Sequence, residues 1–231
     1  RGIRMGECRK YYEAYDDRYR QVHSKGLQWS SSENSEIVER TIKKYGISKT
    51  ANILEIGCGE GRDANFLLKK GYNLLATDVS PAAVKYCRQC YPEKLQSFQV
   101  LNCLTDRTGV KYDFIYAIAV LHMLVLEEDR KLFYRSLSDQ LSDNGLALIC
   151  TIGDGKKEWE TDPSRAFELQ KRIHGATGRE LYLAGTSCRV VGFGTFFREL
   201  NESRLNIVES GTTSIKPDFP MAMYAVVEPA R

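Results

Sequence analysis

No stretch of the 231-residue chain approaches the roughly 18 consecutive apolar residues that a membrane-spanning helix needs. The opening segment, Arg1 to Glu7, lacks the apolar core and small-residue cleavage site of a secretory leader. Cysteine is present, but not as a framework. The seven residues (8, 58, 87, 90, 103, 150 and 188) are odd in number and scattered over expected strands and helices. That usage leads us to expect a reducing cytoplasm. Cys87 and Cys90 form a Cys-x-x-Cys pair with no second pair of ligands in the chain, so no metal site is expected. Internal repeats and low-complexity segments are also lacking.

A strong charge bias is missing too. The net charge is +3, with 42% hydrophobic and 27% charged residues, as in an ordinary globular protein. Residues 1–50 are the exception, with 11 Lys and Arg against 7 Asp and Glu. A basic arm suits nucleic acid, yet the signs alternate along Arg9, Lys10, Glu13, Asp16, Asp17, Arg18 and Arg20, as on a solvated helix face. A nucleic-acid partner is therefore not expected.

What is present centres on Asn52 to Asp63. The apolar Ile53, Leu54 and Ile56 run into alternating glycines, Gly57, Gly59 and Gly61, and then a helical pattern. This reads as strand, tight turn and helix N-terminus, a turn that lets a ligand touch bare backbone. A second apolar segment, Tyr72 to Asp78, ends in a carboxylate 17 residues beyond Gly61, at the distance expected for a ribose contact. A dinucleotide fingerprint requires a sixth-position glycine, where this chain has Arg62. That disfavours a nicotinamide-dependent oxidoreductase.

Five short apolar strands alternate with helices. The expected strands are 53–56, 72–78, 97–101, 112–120 and 146–151, and the expected helices 61–70, 81–90 and 128–141. Ser80-Pro81 supplies a helix start, and Asp143-Asn144-Gly145 a turn. Two N-terminal helices are expected at about 8–23 and 34–45, the first with a tyrosine stripe (Tyr11, Tyr12, Tyr15 and Tyr19) read as packing. Residues 153–191 break the pattern as a polar, glycine-rich insertion with a short helix near 164–173, the kind of segment that forms a lid. A helix at 194–203 and strands at 205–210 and 221–227 close the chain, and the short link between those strands implies antiparallel pairing. The expected fold is a doubly wound, Rossmann-like α/β sheet of seven strands, mostly parallel, with an antiparallel C-terminal hairpin and helices on both faces. We divide a single domain, 1–231, into a cap (1–48), a cofactor-binding core (49–152), the insertion (153–191) and the terminal helix and hairpin (192–231).

The acidic residue followed by GxGxG resembles the first motif of the class I S-adenosylmethionine-dependent methyltransferases, whose second strand ends in an acid that holds the ribose. The resemblance implies that Glu55, Gly57, Cys58, Gly59, Gly61, Asp78 and Val79 bind S-adenosylmethionine, with Asn102 and Cys103 beside the adenine and Ala119 near the sulfur. The family commonly has an acid at the end of the third strand that this chain lacks. Trp29 either plugs the junction between cap and sheet or lies over the cofactor. His122, at the end of the fourth strand, is either a general base or a packed residue. His23 and His174 are expected near the surface, and His23, Trp159 and Arg189 are candidates for contact with the acceptor.

The Gly-Cys-Gly-Glu-Gly-Arg-Asp run and the upstream Gly-Leu-Gln-Trp are most similar to a small-molecule branch that includes thiopurine and tellurite-resistance methyltransferases. That branch implies a soft acceptor atom and a monomer or homodimer. A cofactor-binding module without catalysis, or one associated with RNA, is the alternative.

Overall fold

The computed structural model describes residues 9–230. Cys8, the expected first residue of the N-terminal helix, and the opening segment read as lacking a leader lie outside the described residues. A 3-10 turn at Tyr11–Glu13 leads into α1 (Ala14–His23), and α2 spans Glu36–Tyr45. Ile37, Val38 and Ile42 turn one face of α2 inward, and Gly46, with φ of 63°, ends it in the left-handed conformation that favours glycine.

Alternating units follow: β1 (Ile53–Ile56), α3 (Arg62–Lys69), β2 (Leu74–Asp78), α4 (Pro81–Cys90), β3 (Phe98–Val100), β4 (Tyr112–Ile118), α5 (Glu127–Gln140) and β5 (Leu141–Ile152). α4 starts as expected, the Ser80 hydroxyl accepting the Ala83 N–H at 3.1 Å with Pro81 in the first turn. The expected turn at 143–145 is absorbed into β5, which runs directly on from α5 and slips register against β4 between Tyr112 and Phe114.

The insertion differs from expectation. In place of a helix at 164–173 there is a 3-10 turn at Pro163–Arg165 and a strand β7 (Leu169–Ile173), antiparallel to β8 (Glu180–Ala184). Short strands β6 (Trp159–Glu160) and β9 (Arg189–Val190) pair beside them. α6 (Phe193–Glu202), β10 (Leu205–Ile215) and β11 (Phe219–Pro229) complete the chain.

The main sheet runs β3-β2-β1-β4-β5-β11-β10. The β1, β2, β3, β4 and β5 pairs are parallel, and β11 is antiparallel to both β5 and β10. Helices bury both faces, which is why the central strands read as continuous apolar runs. Leu54, Ile115 and Ile149 pack with α5 and α6, while Ile53, Phe114 and Leu148 pack with α2 and α3. Chain order reverses between β1 and β4, which opens a crevice at the carboxyl ends of both strands.

One buried ion pair supports that crevice from behind. Arg130 of α5 grips Glu199 of α6 through two bonds of 2.8 and 2.7 Å, and its Nη1 donates to the carbonyls of Leu121 and Leu124. It thereby holds the turn at Leu121–Met123 that follows β4. Removing one partner of such a pair leaves the other charge buried and unpaired. Glu199→Ala should therefore cost about 3–5 kcal/mol. The melting temperature should fall by roughly 6–20 °C, at about 2–4 °C per kcal/mol in a chain of this length. Thermal unfolding of the variant checks this.

Candidate functional site

The turn after β1 departs from regular backbone so that other groups can approach it. Gly57 has φ of +74°, and a Cβ there would stand 2.3 Å from the Val120 side chain; at Gly59, φ is +53° and a Cβ would meet the Tyr19 hydroxyl at 2.7 Å. The Gly57 and Cys58 N–H groups donate to the Thr77 carbonyl, which ties the turn to β2. Asp78 ends β2, where its carboxylate accepts N–H bonds from Gly59 and Ser80, each 2.8 Å. Burial raises its pKa to about 6, although both N–H bonds act to lower it. Glycines and acid thus lie together at one end of the sheet.

Three adjoining cavities run across this end. The first, beside Asp78, is bordered by Gly57, Val79, Leu101, Asn102 and Cys103. The second, about 320 Å³, lies along the glycine turn and is bordered by Glu55, Cys58, Gly59, Ala119 and His122. The third, about 500 Å³, lies under the insertion and is bordered by His122, Trp29, Trp159, Arg18 and Arg172. Tyr15 and Met123 border all three.

The first two chambers carry the kinds of group that would hold a nucleoside joined to an amino acid. Bare backbone and a carboxylate face each other at the first, and Val79 and Leu101 give it apolar walls. At the second, Glu55 is buried on β1 and accepts the Tyr116 hydroxyl at 3.0 Å. Burial, reinforced by nearby Asp63, raises its pKa well above the carboxylate range. Ala119 holds φ of 57°, rare for a residue with a Cβ, and so keeps the backbone after β4 turned along the chamber.

The remaining sequence candidates divide. Gly61 borders none of the three cavities; it begins α3 with φ of +80°, packed against Cys87. Asn102 donates to the Tyr12 hydroxyl at 3.2 Å, and its own N–H reaches Asp106 at 3.0 Å, so an acid does stand beside the end of β3, supplied from four residues on. The Trp29 ring packs near Val22 of α1 and Leu183 of β8 and also borders the second and third chambers.

His122 is buried, its Nδ1 has no hydrogen-bond partner among the described residues, and burial, then Arg130 and Arg18, push its pKa down to about 3. His23 lies apart, stacked on Tyr86 and bonded to Glu60 at 2.8 Å. His174 is not at the surface: it is 3% exposed, with Nδ1 on the Thr177 hydroxyl and Nε2 on the Gln28 carbonyl. Arg189 turns away to the Val125 carbonyl at 2.9 Å and borders a different groove, while Trp159, 52% exposed, stands at the mouth of the third chamber. Cys87 is buried and Cys90 exposed, so the Cys-x-x-Cys pair is split between interior and surface.

Sequence reasoning missed three groups. The tyrosine stripe of α1 was read as packing, yet Tyr12, Tyr15 and Tyr19 border the chambers. Glu60, inside the glycine motif, accepts the Trp29 and Ser30 N–H groups and the Ser30 hydroxyl at 2.7–2.8 Å. Its place between two glycines was the available signal. Arg18, one of many alternating charges on α1, carried none.

The sequence profile described as Methyltransferase domain matches residues 54–147. Human EEF1A lysine methyltransferase 2 is 27% identical over 173 residues, 70% of this chain and 73% of its own length. A ubiquinone biosynthesis O-methyltransferase from Rickettsia canadensis (strain McKiel) is 25% identical over 125 residues, 53% of this chain, which spans about half (52%) of that relative. Among solved structures, the Burkholderia thailandensis 1,6-didemethyltoxoflavin-N1-methyltransferase, with bound S-adenosylhomocysteine, shares the fold at a TM-score of 0.66 and 12% identity, covering 99% of this chain and 94% of its own. The matched residues run from β1 into β5 and carry the glycine turn and Asp78 with them: over this core the chain is similar to S-adenosylmethionine-dependent methyltransferases, whose fold it shares.

Proposed function

We propose that the chain methylates a small-molecule acceptor held in the chamber under the insertion, by in-line displacement. The observation that carries this reading is the adjacency of the three chambers, with His122, Met123 and Tyr15 where the second meets the third. In this reading Asp78 takes the ribose hydroxyls, Val79 and the Asn102–Cys103 segment flank the adenine, and Glu55 with the Gly57–Gly59 backbone faces the amino-acid end. Residues 153–191 roof the acceptor. Bound S-adenosylmethionine supplies a methyl carbon made electrophilic by its sulfonium.

The protein's share is then alignment and exclusion of water, and alignment alone lowers such barriers by up to about 7–11 kcal/mol. His122 suits positioning better than strong base catalysis. With its pKa near 3 the imidazole is neutral, and it offers Nδ1 as a hydrogen-bonding atom for the accepting group. The resemblance to the thiopurine and tellurite-resistance branch favours sulfur, selenium or tellurium as that atom.

Two measurements test the reading. At about 100 times its dissociation constant, S-adenosylhomocysteine should add about 2.7 kcal/mol, raising the melting point by roughly 5–11 °C, and NADH should add nothing. A panel of thiol, hydroxyl, amine and metalloid acceptors, with a lysine-bearing protein as comparison, should then give turnover on a small molecule. Methylation of the protein lysine alone would overturn the small-molecule reading, turnover confined to oxygen or nitrogen would remove the soft-acceptor branch, and binding without any product would favour a non-catalytic module.

The raised pKa of Asp78 gives a signed pH dependence. The carboxylate accepts hydroxyl hydrogen bonds when ionised and takes up a proton as pH falls through about 6. The calorimetric dissociation constant for S-adenosylhomocysteine should therefore rise by about tenfold between pH 7.5 and pH 5. Asp78→Asn should weaken binding at pH 7.5 and remove that share of the pH dependence. An unchanged profile in the variant would show that Asp78 does not hold the ribose.

A further inference from the structure

The third chamber contains a charge with no counter-charge. Arg18 is only 8% exposed, and its Nε and Nη2 are spent on the carbonyls of Ala184 and Gly185, at 2.8–3.2 Å. Among the described residues no carboxylate lies within ion-pair distance of it. Its guanidinium stacks over the Trp29 ring at 5.0 Å, which holds the head at the chamber wall. Burial pulls its pKa below the ordinary value, and Arg172 acts in the same direction.

Arg172, on β7, borders the same chamber and bonds to the neutral Gln170 side chain at 2.6 Å, likewise with no carboxylate partner among the described residues. The other ionic groups on the wall are already answered. Arg165 is paired with Glu168 at 2.8 Å, and Asp162 accepts the Ser164 N–H and hydroxyl.

Burying a charge without a partner is expensive, and two cations on one cavity wall repel each other. A ligand anion would relieve both costs. The Nδ1 of buried His122, on the same chamber and without a partner among the described residues, points independently to a polar ligand. Trp29, Trp159 and Phe219 provide flat apolar walls for the rest of that ligand.

We propose that the acceptor is an aromatic anion whose carboxylate or phosphate sits between Arg18 and Arg172, with its accepting atom turned toward His122. The same field disfavours a protonated lysine side chain as occupant. This inference rests on the transferase reading above and adds the charge class of the acceptor to it.

Calorimetric titration of the full chain, saturated with S-adenosylhomocysteine, tests it with benzoate, phenyl phosphate and the neutral benzamide. At least one anion should bind about tenfold or more tightly than benzamide, the size of a charge-assisted hydrogen bond. The anion that does so identifies carboxylate or phosphate as the recognised group. Arg18→Gln and Arg172→Gln should each abolish that preference and leave S-adenosylhomocysteine binding unchanged, since neither arginine borders the first two chambers. Arg172 is half-buried on the insertion's hairpin, so its variant tests the clamp without disturbing α1. Benzamide binding as tightly as both anions, no binding of either anion, or a preference that survives in Arg172→Gln would overturn the proposal and leave the transferase reading standing. Failure of the unmodified chain to bind S-adenosylhomocysteine would overturn both.

Discussion

Buried carboxylates fasten the N-terminal segment to the sheet, and the site exists only because they do. Asp16 of α1 accepts the Ser80 hydroxyl and the Ala82 N–H, capping α4 from another part of the chain. Glu60, in the glycine turn, takes the backbone of Trp29 and Ser30, and Asp63, in the first turn of α3, takes the N–H and hydroxyl of Ser35. A carboxylate removed from water must have its lone pairs filled, so each of these acids specifies where the segment from α1 to α2 can lie. The result is a wall of tyrosines along the crevice at the β1–β4 switch point. In this way the crevice at the end of the sheet is walled into the three chambers.

Legibility from sequence followed how far the determining contacts lie along the chain. The glycine turn, Asp78, the five parallel strands and the three helices among them are local patterns, and apart from the turn absorbed into β5 each falls where its own residues dictate. The antiparallel β11 was also readable, because Gly211 to Pro220 is too short for a crossover. The hairpin in the insertion was not. Leu169 and Ile173 are four apart, a helical spacing, yet as strand residues both are exposed, at 62% and 68%, while the polar Gln170 and Arg172 turn toward the third chamber. A strand whose inner face is polar inverts the pattern on which sequence reading depends. His174 misled for a similar reason: its burial comes from the Gln28 carbonyl, 146 residues away in the chain.

The site candidates divide along the same line. Residues carried by the motif itself, from Glu55 to Gly59 and at Asp78, border the chambers. His23 and Arg189, proposed from residue type and position alone, found other partners in Glu60 and Val125. Arg18 gave no sequence signal because a charge on an amphipathic helix is ordinary until the fold buries it. What distinguishes it is the β8 hairpin strand packing over α1, a tertiary event that removes solvent from a guanidinium and offers it carbonyls in place of a counter-ion.

The two tryptophans in the chain, Trp29 and Trp159, belong to segments on opposite sides of the sequence and meet around a single chamber. All indole emission from this molecule therefore originates at that one place. Its colour and intensity will register the wetness and occupancy of the chamber, with no background from the remainder of the fold and no attached dye.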